Sequence, residues 1–444
     1  MPPTTTEAGP EPRAGFAAWW MVGVLLAFYV LSYCDRIIIT LMTEDLKADL
    51  HLSDVQLSLV LGPAFALCYA VAGFPLGWAA DRFPRRLVVW AGTTVWSLAT
   101  VACGLVSAFL SLFLLRATVG IGEASLSPAA YSLIADRFPR RMLTRALSVF
   151  TMGPKAGSTV AYSVGGAAVA LGASLGAMHL PGVGELKPWQ FVFMLVGGPG
   201  LILALLAFSF REPPRRRAVT ETDASARAEF TAYVLRHRTM LILLIVGFSL
   251  LAMTSNAMMA WAPAYLTRRF GWAAPQYAPY LAVASALAAL TLPIKGALVD
   301  WLYGRGMSDA HLRFYTWTLG LAIPFAVVAV RASDPVVALI CFGVVDVVAL
   351  TYVLYFSALI QLLVPNQMRG RMTGLFLFVI TMAGQGLGPP VVAMITDYVF
   401  RDPLMVGWSM TLVSVAAMTT ALILFRFVLR IIRPLLEAER VVVR

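Results

Sequence analysis

Long apolar stretches alternate with short polar breaks along the whole chain. Twelve of these stretches reach the ~20 residues that an α-helix needs to cross the hydrocarbon of a bilayer. They fall at roughly 17–42, 55–80, 87–107, 111–135, 144–176, 189–210, 239–265, 276–300, 312–331, 335–363, 370–397 and 405–430. Charges or Gly/Pro breaks separate them. The pattern predicts an all-α membrane protein of twelve transmembrane helices. The longest polar segment, Arg211 to Arg238, divides them into two sets of six.

Composition agrees. Apolar types make up 59% of the 444 residues and charged types 13%, about half the ~25% of a typical soluble protein. Mean hydropathy is +0.79. A water-soluble fold of this size could not hide so much hydrocarbon, so a soluble enzyme, a nucleic-acid binder and a disordered chain are excluded. The net charge of +11 is then a matter of topology, because Lys and Arg collect in cytoplasmic loops. Arg82, Arg85, Arg86, Arg137, Arg140, Arg141, Arg145, Arg215, Arg216, Arg217, Arg369 and Arg371 all fall on one side of the predicted spans. Lys47, Lys187, Arg268, Arg269, Arg331 and Arg401 fall on the other. Both termini are therefore expected in the cytoplasm.

The domain expectation has five parts. Residues 1–14 form a disordered tail with no signal-peptide pattern, and 15–211 a first six-helix bundle. A cytoplasmic linker at 212–238 can form an amphipathic helix. A second bundle follows at 239–430, then a cytoplasmic tail at 431–444. Cys34, Cys68, Cys103 and Cys341 lie in apolar runs, which speaks against disulfides and metal sites.

The two halves echo each other. Gly77-Trp-Ala-Ala-Asp81-Arg82-Phe-Pro-Arg85-Arg86 follows the second span, and Gly296-Ala-Leu-Val-Asp300-Trp-Leu-Tyr-Gly304-Arg305 follows the eighth. Arg140-Arg141-Met-Leu-Thr-Arg145 is matched by Arg369-Gly370-Arg371-Met-Thr at the corresponding turn of the second half. The fifth span carries Gly153, Gly157, Gly165 and Gly166, and the eleventh Gly384, Gly386 and Gly388. Parallel repeats around an axis normal to the membrane place a substrate site between them near the midplane.

The stretch Gly77 to Arg86 resembles the Gly-x-x-x-Asp-Arg-x-x-Arg-Arg signature of the major facilitator superfamily. Tyr33-Cys34-Asp35-Arg36, the run Arg116 to Pro128 with its Gly120-Ile-Gly122-Glu123-Ala124-Ser125 string, Ile134 to Pro139 and Arg211-Glu212-Pro213-Pro214 resemble its Spinster-like branch, of the bacterial type. The resemblance implies two pseudo-symmetric bundles that rock around a central cavity. It implies a cytoplasmic gate at Gly77, Asp81, Arg82, Arg85, Arg86, Asp136, Arg145 and Asp300. It also implies protonation at Asp35 and Glu123, with Arg36 and Arg116 as their cationic neighbours.

Charges inside a span cost perhaps ~2.5–3.5 kcal/mol each even on a lenient scale, which makes them functional candidates. Asp35, Arg36, Arg116, Glu123, Lys155 and Asp346 qualify; Lys295 and Asp397 lie near span ends and read as interfacial. Arg116 and Glu123 share a helix face about 10.5 Å apart, with Arg116 expected toward the outer side and Glu123 deeper. Lys155 departs from the Spinster pattern. It either offers a fixed cation to an anionic group or snorkels to the cytoplasmic end. Asp346 has Lys155, Arg36 or another polar residue as candidate partners. Asn256, Tyr352 and Tyr355 are candidates for a mixed polar and apolar cavity wall.

The expected function is proton-coupled secondary transport by alternating access, with the proton gradient in place of a cofactor and no metal. The substrate expected by resemblance is a lysophospholipid or sphingoid-like lipid, and Lys155 keeps a small organic acid, or a sugar, as the alternative. A non-transporting membrane sensor is the reading from a different class. An enzyme is disfavoured, since His51, His179, His237 and His311 sit at ends or in loops. No nucleic-acid partner is expected. A monomer in a bacterial inner membrane is.

Overall fold

The computed structural model of the chain describes residues 15–176, 178–180, 184–215, 223–365 and 368–443. The 1–14 tail lies outside the described residues, as do 216–222 of the linker. Twelve helices are long and apolar enough to cross a membrane. They are α1 (Phe16–Leu50), α2 (Asp54–Arg82), α3 (Arg85–Cys103), α4 (Phe109–Arg137), α5 (Arg145–Leu175) and α6 (Pro188–Phe208). The second set is α7 (Arg238–Phe270), α8 (Ala274–Gly304), α9 (Ala310–Arg331), α10 (Pro335–Leu363), α11 (Arg371–Phe400) and α12 (Pro403–Pro434). Their outer faces carry exposed Leu67, Val71, Phe74, Ile202, Leu290, Ile294 and Leu321, side chains that only a lipid environment solvates well.

Helix ends differ from the apolar pattern where a helix outruns the hydrocarbon. The segment α1 continues through a 3₁₀ turn, Ile39–Met42, into the polar Thr43–Leu50. The last helix runs on to Val443, through the stretch expected as a tail. Hydropathy reports the depth of the membrane, and a helix needs no hydrocarbon to continue. The linker contains a helix, Asp223–Arg236, whose Tyr233 hydroxyl donates to the Leu363 carbonyl at 2.6 Å. One departure from an all-helical chain is a small antiparallel hairpin between α5 and α6, β1 (Met178–Leu180) with β2 (Gly184–Leu186).

Within the first bundle α1 packs on α5, and α3 on α4 and α6; within the second α7 packs on α12 and α11, and α9 on α10 and α12. Across the bundles α5 meets α8, and α2 meets α11. The repeat seen in sequence is a packing repeat. A Cβ on Gly153 would sit 2.6 Å from the Tyr29 ring, and one on Gly157 would sit 2.5 Å from Tyr33 Cβ, both on α1. In the second half a Cβ on Gly388 would sit 2.6 Å from the Met253 carbonyl oxygen, and one on Gly384 would sit 2.8 Å from Asn256 Nδ2, both on α7. The glycines let the fifth helix of each half approach the first so closely that no side chain fits between.

The start of α1 and the end of α12 lie on one face, here the termini face, since the described helices make an even number of crossings. The opposite, far face is sealed between the bundles. There α2 starts with a capping box. The Ser53 hydroxyl accepts from Gln56 N at 3.1 Å, and Gln56 Oε1 accepts from Ser53 N at 3.0 Å. Asp397 of α11 accepts from Val55 N at 3.0 Å, adding a carboxylate from the other bundle at the positive end of the α2 dipole. Arg268 of α7 donates twice to Asp54, both at 2.7 Å, and once to Glu44 at 2.9 Å. Lys47 adds a contact to Asp54 at 2.6 Å. The Asp54 side chain is fully buried in this cluster.

At the termini face the signature residues are open. Asp81, Arg82, Asp300 and Arg305 are exposed. Arg82 stacks on Trp78 at 4.5 Å and Arg305 on Trp301 at 3.9 Å, each within its own helix end. Buried charges thus join the bundles at the far face, while the signature charges at the termini face stay exposed.

Candidate functional site

Below the far-face seal, α1, α2, α4, α7 and α11 enclose a small cavity with room for about one water molecule. Arg36, Thr40, Phe65, Arg116, Asn256, Met259, Gln385 and Pro389 line it, so both bundles contribute. Arg36 sits on α1 just before the 3₁₀ turn Ile39–Met42. Its Nε donates to Glu123 Oε2 at 2.8 Å and its Nη2 to the same oxygen at 2.6 Å. The Ser32 hydroxyl, one turn back on α1, donates to that oxygen at 2.7 Å. The guanidinium lies 4.3 Å from the centre of the Phe65 ring, 4.8 Å from Tyr33 and 5.3 Å from Tyr69. Cation–π contact of this kind suits Arg and gains strength where water is excluded.

The Glu123 carboxylate is used unevenly. Oε2 takes three donated bonds, while Oε1 is buried with no partner among the described residues. Asp35 lies one residue along from Arg36 and so points elsewhere. It is fully buried against α3 and α4, and neither of its oxygens has a hydrogen-bond partner among the described residues. Neither Glu123 nor Asp35 is among the residues lining the cavity, whereas Arg36 is. One residue on a helix turns ~100°, enough to carry its side chain from the cavity into the bundle. Arg116 also differs. It is 1% exposed and donates to the Asp35 carbonyl at 3.3 Å, with its Nε unpartnered. Glu123 takes its ion pair from Arg36.

A second charged group joins the bundles. Lys155 of α5 contacts both oxygens of Asp346 of α10, at 3.2 and 3.1 Å. The alternative in which Lys155 snorkels away from the cavity does not hold here. Lys295 is not interfacial either. It donates to the Val347 carbonyl and, at 3.0 Å, to Thr351 Oγ1. These acceptors flank the break in α10 between Pro335–Val348 and Tyr352–Leu363, where carbonyls lose their helical donors. Asp397 likewise works in the far-face seal.

Of the other cavity candidates, Asn256 lines the enclosed space, its Nδ2 donating to Ala252 O at 2.9 Å. Tyr352 is half-buried at the α10 break. Tyr355 belongs to the second bundle's core, where it is 1% exposed and stacks on Tyr315 at 4.3 Å. The candidate gate residues divide too. Gly77, Asp81, Arg82, Arg86, Arg145 and Asp300 are exposed or half-buried at the termini face. Arg85 is buried inside the first bundle. It pairs with Asp136, donates to Ser132 Oγ at 2.9 Å and Pro213 O at 2.8 Å, and meets Glu212 at 3.1 Å. Glu212 also accepts from Arg85 N at 2.9 Å, capping α3. Arg85 and Asp136 pair with each other inside the first bundle.

Sequence reading missed Phe65 and Gln385 at the cavity, Ser32 and Tyr69 around the Arg36–Glu123 pair, and the Asp54–Arg268–Glu44 cluster at the far face. Arg268 looked like one more loop cation. Its signal was two acidic residues, Glu44 and Asp54, at the matching end of α1 and α2.

Comparison with known proteins agrees with this architecture. The family model described as Major Facilitator Superfamily matches residues 24–389. An MFS-type efflux pump of Mycolicibacterium smegmatis is 29% identical over 87% of this chain and 86% of its own. Protein spinster homolog 1 of Xenopus tropicalis is 31% identical over 55% of this chain, a stretch that spans 45% of the frog protein. The D-galactonate transporter of Escherichia coli O6:H1 is 25% identical over 87% of this chain and 90% of its own. Among solved structures, a bacterial homolog to the human lysosomal transporter Spinster, in inward-facing and occupied conformation, superposes with a TM-score of 0.78. It is 24% identical, covering 94% of this chain and 98% of that one. The chain belongs to the Major Facilitator Superfamily of membrane transporters, and its twelve-helix fold is that of the Spinster type.

Proposed function

We propose that the protein is a proton-coupled secondary transporter that moves an anionic or amphiphilic small molecule by alternating access. The observation that carries the reading is the Arg36–Glu123 pair of the first bundle, whose Arg36 lines the cavity between the bundles just beneath a sealed face. Arg36, Arg116, Glu123 and Asp35 form a group of two cations and two carboxylates. A proton reaching Glu123 has an obvious seat at Oε1, the oxygen that accepts nothing. Protonation removes the charge that holds Arg36, and the freed guanidinium can then take a carboxylate or phosphate in bidentate fashion. One proton in and one monoanion in leave the group's net charge unchanged. Asp35, buried beside the Asp35-bound Arg116, is a second proton acceptor in this scheme.

The excess of Lys and Arg on the termini face supports a cytoplasmic placement of both ends, in a bacterial inner membrane. The resemblance to the Spinster-like branch implies a lysophospholipid or sphingoid-like lipid, and the galactonate transporters favour a small organic acid. A thermal-shift screen of lysolipids, sugars and organic acids on purified protein identifies the ligand. Sealed proteoliposomes should then accumulate it when a pH gradient is imposed, and a protonophore should abolish the accumulation. Binding without movement would make the protein a sensor and end the transport reading.

A further inference from the structure

We infer that Lys155 is a receptor for a substrate carboxylate, and that Asp346 occupies it as an internal stand-in when no substrate is bound. This rests on the transport reading and names the substrate as a carboxylate anion.

The three charges lie at one depth. Arg145 to Lys155 on α5, Pro335 to Asp346 on α10 and Gly304 to Lys295 on α8 each span roughly 13–17 Å at 1.5 Å per residue. That is close to half of a ~30 Å hydrocarbon core. They arrive on three helices from both bundles. Lys155 grips both oxygens of Asp346, at 3.2 and 3.1 Å. Lys295 is anchored on Val347 O, the carbonyl next in sequence to Asp346. One ammonium group thus holds the carboxylate, and a second sits on the backbone beside it.

Exposure separates this group from the Arg36 cavity. The Lys155 and Asp346 side chains are 29% and 26% exposed, against 10% and 0% for Arg36 and Glu123. A small anion can therefore reach Lys155 more readily than Arg36. An ion pair this wet is weakly held, so an incoming carboxylate can displace Asp346 from the ammonium group. The displacement unties α5 from α10, the only charge contact between those two helices among the described residues. It also sits beside the break in α10, where a discontinuous helix can turn without disturbing its neighbours. The carboxylate of Asp346 shows by its own geometry what chemistry Lys155 accepts.

The test is equilibrium binding to purified protein in phosphatidylcholine nanodiscs. Two carboxylate probes, D-galactonate and dodecanoate, are each compared with a neutral partner, D-galactose and dodecanol. At least one carboxylate should bind more tightly than its partner. Lys155→Gln should weaken that probe by about tenfold or more, the loss of one charge-assisted bond, while Lys155→Arg retains it. Asp346→Asn should tighten it several-fold, since the competitor is gone. The inference fails if Lys155→Gln leaves the affinity unchanged or if Asp346→Asn weakens it. It also fails if neither carboxylate outbinds its neutral partner in wild-type or Asp346→Asn protein. Intact pH-driven uptake with no role for Lys155 would strike this inference alone. Carboxylate binding at Lys155 with no uptake would strike the transport reading instead.

Discussion

The Glu123 carboxylate owes its place to three donors on one neighbouring helix: Ser32 Oγ and two guanidinium nitrogens of Arg36. The fork of Arg36 supplies two of them, and its flat face fits over Phe65. Lysine keeps the charge but offers neither the fork nor the stack. Arg36→Lys is therefore expected to reduce pH-driven uptake at saturating substrate on the order of tenfold. Circular dichroism and gel filtration should show a folded, monodisperse protein. Uptake equal to wild type would mean that Arg36 serves only as a point charge. Sequence reading found Arg36 and Glu123 because ionised groups inside apolar spans are costly. It treated Asp35 as their equal, because a residue's identity does not say which way it points on a helix. Tyr355 was misplaced for the same reason, since a tyrosine at helical spacing suits a core stack and a cavity wall alike.

At the scale of elements, the helices were legible because hydrocarbon thickness fixes their minimum length. Their breaks were less so. The Gly62 break in α2, the interruption of α10 after Val348 and the π-helical turns of α11 at Met382–Leu387 and Ile395–Phe400 do not interrupt hydropathy. At the α10 break the Val347 carbonyl takes its donor from Lys295, far away in sequence. The glycine repeat of the fifth and eleventh spans was legible, and its purpose follows from the contacts on Tyr29, Tyr33, Met253 and Asn256. The strap Arg211–Arg215 was visible as a motif but not as a clasp. Only the fold brings Glu212 to the start of α3, and Arg215 to the last carbonyls of α2 at Ala80 and Phe83, at 2.9 and 2.6 Å.

At the scale of the whole molecule, two bundles are held shut at one face by few but buried charges. Removing one partner of a buried pair usually costs ~3–5 kcal/mol, and here the cost should be on the order of 2 kcal/mol, because Lys47 still holds Asp54. Arg268→Gln should therefore shift the equilibrium toward the far-face-open state by roughly 30-fold. In a background without Cys34, Cys68, Cys103 and Cys341, spin labels at His51→Cys and Ala273→Cys read it as a longer distance population. An unchanged distribution would mean that the charge cluster does not seal that face. The central claim is that protonation of Glu123 couples the proton to this rocking motion. Its most direct measurement is proton movement in sealed proteoliposomes loaded with a pH-sensitive dye, driven by a substrate gradient alone. Wild-type protein should move protons with substrate, and Glu123→Gln should exchange substrate across the membrane with no proton signal. A Glu123→Gln protein that still carried protons with its substrate would contradict the account.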